Sequence, residues 1–325
     1  MAHRLSLRLQ HDEPEILPLV GPSRTMRELV RQIELLAQSE RSVALLIGED
    51  GTGKGLLAEY IHARSSRASR PFMELNCASL NRVDLSGELF GSGLPGAPPG
   101  VLKAVDGGTI FIDEASELPE DVQARLLQLI EADLRPFGST DARAVRLIAA
   151  SSKDLVNEVT AGRFREDLYY RLGVMPVHLP PLRARTREDL TELMTATFTA
   201  LSMNVSTPPR AIGSDVIDTL IAYAWPGNIR ELRNALERAI FAARGSVVLE
   251  RHHLPPEFRE EGAGECSASH APRTLADVER AHIHRTLRAH NLNRTHAALE
   301  LGISRATLIK KIKEYGLVYQ APERA

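Results

Sequence analysis

Two stretches carry residues suited to handling a polyphosphate. "LLIGEDGTGKG" places Gly48, Gly53 and Lys54 in the spacing Gly-x4-Gly-Lys, after an apolar run and at the start of a helical one. In the loop Gly48, Glu49, Asp50, Gly51, Thr52, Gly53, the glycines let successive backbone N–H groups turn inward around a β-phosphate. The N-terminus of the following helix adds its positive end, and Lys54 supplies a point charge for the β- and γ-oxygens. The position after the lysine, where a Ser or Thr hydroxyl ordinarily meets magnesium, is Gly55. Thr52 is not a positional substitute, so magnesium must lean on other groups. The second stretch, "GGTIFIDE", is an apolar run ending in Asp113 and Glu114. Asp113 can hold Mg2+ through its waters, and Glu114 can orient and deprotonate an attacking water. On its own the acidic pair reads as the start of the helix in "DEASELPEDVQARLLQLI"; beside Lys54, the reading as magnesium ligand and general base takes precedence. The chemistry these residues suit is the binding and hydrolysis of ATP with Mg2+.

Such residues need a sheet to hold them. "VALLI" (43–47), "FMEL" (72–75), "TIFI" (109–112), "VRLIAA" (145–150) and "VMPVHL" (174–179) are apolar at nearly every position, as strands of a parallel sheet covered on both faces are. Helical segments lie between them, such as "KGLLAEYIHARS", with Leu56, Leu57, Tyr60 and Ile61 at helical spacing. The fold class is α/β, a P-loop nucleotide-binding domain over residues 18–182, preceded by a short polar tail, 1–17. After "LPPLR" the strands stop. Residues 183–254 read as an all-helical subdomain built on "REDLTELMTATFTALS", "SDVIDTLIAY" and "NIRELRNALERAIFAA". Residues 255–273, "PPEFREEGAGECSASHAPR", lack periodicity and read as a linker. Residues 274–325 are helical again.

The chain of 325 residues has a net charge of −2, so bulk charge points to no partner and any nucleic-acid site must be a local patch. There is no apolar run of membrane-spanning length and no apolar h-region near the N-terminus, and Cys77 and Cys266 lie far apart. These features lead to the expectation of a cytoplasmic protein with no membrane partner.

In "NRTHAALELGISRATLIKKIKEYGL" the pattern is helix, tight turn, helix. Ala297, Ala298 and Leu301 form an apolar face, Gly302 suits the turn, Ile303 plugs the core, and Ser304 is an N-cap. Leu308 and Ile312 face inward, which leaves Arg305, Ala306, Thr307, Ile309, Lys310 and Lys313 for the outside. Arg294 and Lys311 extend a basic patch suited to double-stranded DNA. A helical dimerisation bundle with solvating lysines is the alternative. In the preceding segment Leu275, Val278, Ile283 and Leu287 fall on one broad face, which is expected to dimerise and so to match two half-sites about 34 Å apart.

"GEDGTGKG", "NCASL", "ELFG", "DGGTIFIDE", "GRFREDLYYRL", "LPPLRARTRED", "WPGNIREL" and "GISRATLIKKIKEYGL", in this order, resemble the bacterial enhancer-binding proteins, the AAA+ transcriptional regulators of the sigma-54 activator family with a Fis-type helix-turn-helix. The resemblance implies several roles. Asn76 matches the asparagine that pairs with the glutamate corresponding to Glu114 and gates its use. Arg165 and Arg171 match arginine fingers, which act on a neighbour's ATP and imply a ring, hexameric in the family; pairing with Glu166 and Asp167 is the alternative for both. Arg230 matches a second sensor in an AAA+ lid. Val20 and Gly21 match the start of the adenine pocket. Ser151 and Ser152 stand where the family has Thr-Asn, and the shorter Ser152 hydroxyl brings the rate of hydrolysis into question. Residues 1–17 leave no room for a receiver domain, which leads to the expectation of control by a partner in trans, by a ligand or by expression level.

Between "ELFG" and "DGG" the family carries a loop with the signature GAFTGA, which contacts sigma-54. This chain has "SGLPGAPPGVLKAV", a shorter segment with three prolines and no Phe-Thr. Three readings stay open. In the first, a DNA-binding, ATP-binding regulator does not open sigma-54 promoters by the usual contact. In the second, an activator of sigma-54 RNA polymerase works through an atypical loop or in a mixed ring. In the third, an ATP-dependent assembly protein lacks specific DNA binding.

Overall fold

The structure is a computed structural model. It describes residues 7–8, 19–39, 43–79, 82–91, 100–105, 107–132, 144–259, 279, 283, 286–287 and 294–315. By its contacts the chain divides into two units, Met1–Gly264 and Glu265–Ala325.

The first unit is built on a sheet of five parallel strands. β1 (Leu7–Arg8) is followed by α1 (Arg24–Gln38), β2 (Ala44–Ile47), α2 (Lys54–Ala63), β3 (Phe72–Asn76), α3 (Arg82–Phe90) and α4 (Val101–Ala104). Then come β4 (Thr109–Asp113), α5 (Glu120–Glu131), β5 (Arg146–Ser151), α6 (Leu155–Thr160), α7 (Glu166–Leu172) and β6 (Pro176–His178). The strand order is β1-β3-β4-β5-β2-β6, with β1 antiparallel to β3 and all other pairs parallel. All five apolar runs became strands. β5 is buried along its whole length, as a strand covered by helices on both faces must be. The tail is not wholly outside the fold, since Leu7 and Arg8 pair with Met73 and Phe72. The order brings β2 between β5 and β6, so the chain must cross over the sheet to reach it. This is the switch point at which α/β sheets bind ligands, beyond the carboxyl ends of the strands.

The helical subdomain comprises α8 (Arg187–Ser202), α9 (Ser214–Ile221) and α10 (Asn228–Ala242) around buried Trp225, Leu193, Leu232 and Leu236. It is not all-helical: β7 (Ala211–Ile212) pairs in parallel with β8 (Val248–Leu249). Nor does it end at residue 254. Phe258 is buried against Trp225, with ring centroids 5.5 Å apart, so the subdomain continues to Arg259 and consumes the first residues of the expected linker. A capping box starts α8, with the Thr186 hydroxyl accepting from the Asp189 N–H. The Asp189 carboxylate also accepts from the Ser23 N–H at 2.8 Å, tying the start of α1 to the lid.

In the second unit α11 (Arg294–Glu300) and α12 (Arg305–Glu314) meet around Ala297, Ala298 and Leu308, with Ile283 and Leu287 in the same core. Gly302 sits in the turn at φ +64°, and the Ser304 hydroxyl caps α12 by accepting from the Thr307 N–H at 3.1 Å. Ile283 and Leu287 are therefore spent inside this unit rather than on a dimer face. Leu275 and Val278 lie outside the described residues. Among the described residues, no helix is long and apolar enough to cross a membrane.

Candidate functional site

The parallel register lines up the chemistry along one sheet edge. Asn76 faces Asp113 across β3 and β4, and Ile47, the last residue before the phosphate loop, faces Ser151 across β2 and β5. The loop leaves β2 and reaches α2 through Gly51 at φ +75° and Gly53 at φ +94°, a backbone only glycine adopts without strain. Thr52 is buried with its hydroxyl donating to the Glu49 carbonyl at 2.7 Å, so it braces the loop from within. Gly55 lies in the first turn of α2 with room for a side chain: an added Cβ would meet only Phe111, at 3.8 Å.

Lys54 is 6% exposed, and its ammonium donates to the Gly48 carbonyl at 2.9 Å. It lies 3.2 Å from the Glu114 carboxylate and 3.9 Å from that of Asp50. Buried cations require such counter-charges, and phosphate oxygens would supply them in their place. Glu114 stands just past the end of β4 in the left-handed region, φ 55° and ψ 54°, a conformation that costs a non-glycine residue energy and recurs at functional sites. The turn throws its carboxylate sideways toward β5. There it accepts from the Ser152 hydroxyl at 2.6 Å and the Ser152 N–H at 3.1 Å. Burial pushes the acidity of Glu114 one way, but the two Ser152 bonds and Lys54 outweigh it and hold the carboxyl below its ordinary range. Asp113 goes the opposite way, raised by burial and by the charge of Glu114. Two adjacent carboxyls are thus pushed apart, one held as an anion and the other made harder to ionise.

The pairing expected between Asn76 and Glu114 is not present. The Asn76 amide donates to the Asp113 carboxylate at 3.1 Å, because Asn76 and Asp113 are register partners and Glu114 has turned away. Ser152 holds Glu114 instead.

The lid closes over the loop from above. The Arg230 N–H donates to the Gly51 carbonyl at 3.3 Å; its side chain is exposed, and its charge reaches Asp113. Val20 packs against the lid core and its carbonyl meets Arg185. A side chain at Gly21, φ +151°, would collide with Asp189. Arg165 and Arg171 stay out of the cluster. Arg165 makes a two-pronged ion pair with Asp167, at 3.0 and 2.7 Å, as the alternative reading had it, and Arg171 is exposed on α7. Sequence reasoning missed two residues, Arg183 and Asn228. The Arg183 guanidinium grips both oxygens of Glu49, one of them at 2.7 Å, and Asn228 bonds the loop at two points.

In the second unit Arg294, Ser304, Arg305, Ala306, Thr307 and Lys310 are exposed and Ile309 is half-buried. Lys311 is turned back onto Glu279, at 2.6 Å, and over the Tyr315 ring, so it is committed within the unit. The Lys313 side chain and residues 92–99, most of the short segment after "ELFG", lie outside the described residues.

A parallel sheet with a glycine-rich loop at its switch point, a buried lysine and a strand-end acidic pair define a P-loop nucleotide-binding domain, here with a lid and a separate helix-turn-helix unit. Residues 19–178 match the Sigma-54 interaction domain, 183–271 the AAA+ ATPase lid domain, and 274–315 the Bacterial regulatory protein, Fis family. The Transcriptional regulatory protein ZraR of Klebsiella oxytoca is 42% identical over 306 residues, covering 90% of this chain and 68% of the relative. The Response regulator protein PilR of Pseudomonas aeruginosa is 37% identical, covering 96% and 74%. The crystal structure of NtrX from Brucella abortus in complex with ATP superposes with a TM-score of 0.66 at 32% identity, covering 91% and 69%. The chain belongs to the sigma-54-dependent transcriptional regulators, with an AAA+ domain and a Fis-type DNA-binding domain.

Proposed function

We propose that this regulator binds ATP at the carboxyl edge of its sheet and hydrolyses it there. The observation that carries the reading is the triad of Lys54, Glu114 and Ser152: a buried ammonium, a carboxylate kept anionic beside it, and a donor that fixes the carboxylate's direction. Incoming β- and γ-phosphates would take the inward N–H groups of the loop and the Lys54 ammonium, displacing the latter's bond to Glu114. The freed carboxylate oxygen then faces the γ-phosphate, where it can accept a proton from water. Asp113 is the group fitted to Mg2+: its carboxylate is half-buried, raised in pKa, and oriented by the Asn76 amide and the Glu114 N–H. Bound there, the ion would supply charge neutralisation for the phosphates. Arg230 is placed to sense them from the lid. Arg165 and Arg171 act on a neighbouring subunit in a ring, Arg165 first leaving Asp167.

The second unit binds double-stranded DNA, with α12 entering the major groove. Arg305, Ala306 and Lys310 face the duplex, while Arg294 reaches a phosphate. The chain regulates transcription without opening sigma-54 promoters by the family's usual loop contact, because the segment after "ELFG" has no Phe-Thr tip. Gly91 and Gly100 are so close that a side chain on Gly100 would collide with the Gly91 N, and residues 92–99 alone separate them. Permanganate footprinting of a sigma-54 promoter with polymerase, ATP and the full chain tests this. No melting is expected; ATP-dependent melting would contradict the proposal and favour an activator with an atypical loop.

A further inference from the structure

We infer that Asn228 is a positioning residue for the nucleotide, a clasp that holds the crown of the phosphate loop in its binding shape and joins it to the lid. The inference rests on the reading of that loop as an ATP site. Asn228 is fully buried and is the first residue of α10, in the left-handed region at φ 50°. Asparagine tolerates this region better than most side chains. Its side chain uses its polar atoms in three directions. The amide nitrogen donates to the Asp50 carbonyl at 2.9 Å and to the Glu49 carboxylate at 3.3 Å, and the amide oxygen accepts from the Leu182 N–H at 2.9 Å. Leu182 belongs to the connection between sheet and lid, so one side chain links the loop, that connection and α10.

The neighbourhood confirms how tight the junction is. Gly51 comes so close to Gly227 that any side chain there would strike the Gly227 carbonyl. Glu49 is also gripped by Arg183, next to Leu182, and its carboxyl is held below the ordinary range by that guanidinium. Glu49 and Asp50 are the two loop residues without glycine's freedom at its crown, and Asn228 fixes both. Among the standard side chains, asparagine alone combines this length with one donor end, one acceptor end and tolerance of positive φ. The loop's N–H groups can converge on a phosphate only if its carbonyls are turned away. The bond from Asn228 to the Asp50 carbonyl keeps that carbonyl turned outward.

Asn228→Asp separates this role from a merely structural one. Aspartate keeps the size, the tolerance of positive φ and the acceptor for the Leu182 N–H. It loses both donations and sets a carboxylate against Glu49. The chain's single tryptophan, Trp225, lies three residues before Asn228, fully buried, with its indole N–H on the Leu220 carbonyl, so its emission reports on the lid. With the full chain, ATP affinity is measured by calorimetry and Trp225 emission is followed during the same titration. The native chain is expected to bind ATP with a change in emission. Asn228→Asp is expected to bind about tenfold more weakly, the worth of one hydrogen bond to a loop carbonyl plus the new repulsion, and to lose the emission change. The double variant Glu49→Gln with Asn228→Asp removes the repulsion and sets a donor against an acceptor at residue 49, while the donation to the Asp50 carbonyl stays lost. It is expected to regain the part of the affinity lost to that repulsion, which a general loss of packing would not allow. Native affinity and a native emission change in Asn228→Asp would overturn the clasp while leaving the ATP site standing. Absence of ATP binding by the native chain would overturn the site itself and the clasp with it.

Discussion

Ser152→Ala gives the sharpest test of how Glu114 is held. The substitution removes a hydroxyl that donates to the Glu114 carboxylate at 2.6 Å and leaves the backbone N–H of residue 152 at 3.1 Å in place. The Glu114 side chain is 13% exposed, so solvent cannot fully replace the lost donor. A hydrogen bond to a charged acceptor contributes about 1.5–3 kcal/mol, and the surviving N–H and Lys54 place this case at the low end, about 1.5 kcal/mol. If that energy orients the base for attack, it appears in the chemical step. We expect kcat to fall by roughly tenfold with KM little changed, since no phosphate contact is lost. Ser152→Thr, which keeps the hydroxyl, should recover most of the rate. Asn76→Ala should act differently, through Asp113, and raise the magnesium concentration needed for half-maximal turnover. Steady-state phosphate release at saturating and limiting ATP measures all three. A Ser152→Ala rate equal to the native one, with Asn76→Ala alone slowing kcat, would refute the assignment and return the pairing with Glu114 to Asn76.

Three further outcomes follow from particular contacts. Gly55→Ser has space beside Phe111 and sits in the first turn of α2, so it should fold at least as stably as the native chain and lower the magnesium requirement for ATP binding; calorimetry at stepped magnesium measures this. His62, buried with its Nδ1 2.9 Å from the Thr109 hydroxyl, has its pKa pushed down to about 4 by burial. The unfolded chain takes up a proton near pH 6.5 while the folded one does not, so stability should fall as pH drops from 6.5 toward 4, by up to about 3 kcal/mol; His62→Gln should flatten that slope in thermal melts. For DNA, Arg305→Ala should cost about 1–3 kcal/mol at the operator if it meets a base edge. Lys310→Ala should weaken all DNA evenly and reduce the salt slope, and Lys311→Ala should do less because Lys311 is held by Glu279; salt-dependent binding isotherms rank the three.

The strands were legible because each is a short, continuous apolar run, and the turn from β2 into α2 because its glycines supply the positive φ that the chain adopts there. The partners of the acidic pair were not legible. Which side chain Glu114 meets depends on β5 lying beside β4 and on a left-handed turn at Glu114, and neither strand order nor a strained φ is written in a local pattern. Asn228 was hidden for the same reason: it meets Glu49 and Asp50 across almost the whole length of the domain, and one asparagine at a helix start carries no periodic signal. In the second unit the cap at Ser304 and the turn at Gly302 could be read from single residues. The fate of Ile283, Leu287 and Lys311 depended on how the helices pack, which an apolar face or a basic count leaves open. The start of the linker was misplaced because Pro255 and Pro256 look like punctuation, whereas Phe258 behind them is core.

As the proposed base of the ATP site, Glu114 is the residue whose removal is most telling. The most direct measurement pairs ATP binding by calorimetry with phosphate release by the full chain, native and Glu114→Gln, with magnesium present. Glutamine keeps an acceptor for the Ser152 donors but cannot take a proton from water. ATP binding by both proteins and phosphate release by the native chain alone are expected; release at the native rate by Glu114→Gln would contradict the role of Glu114 as the base.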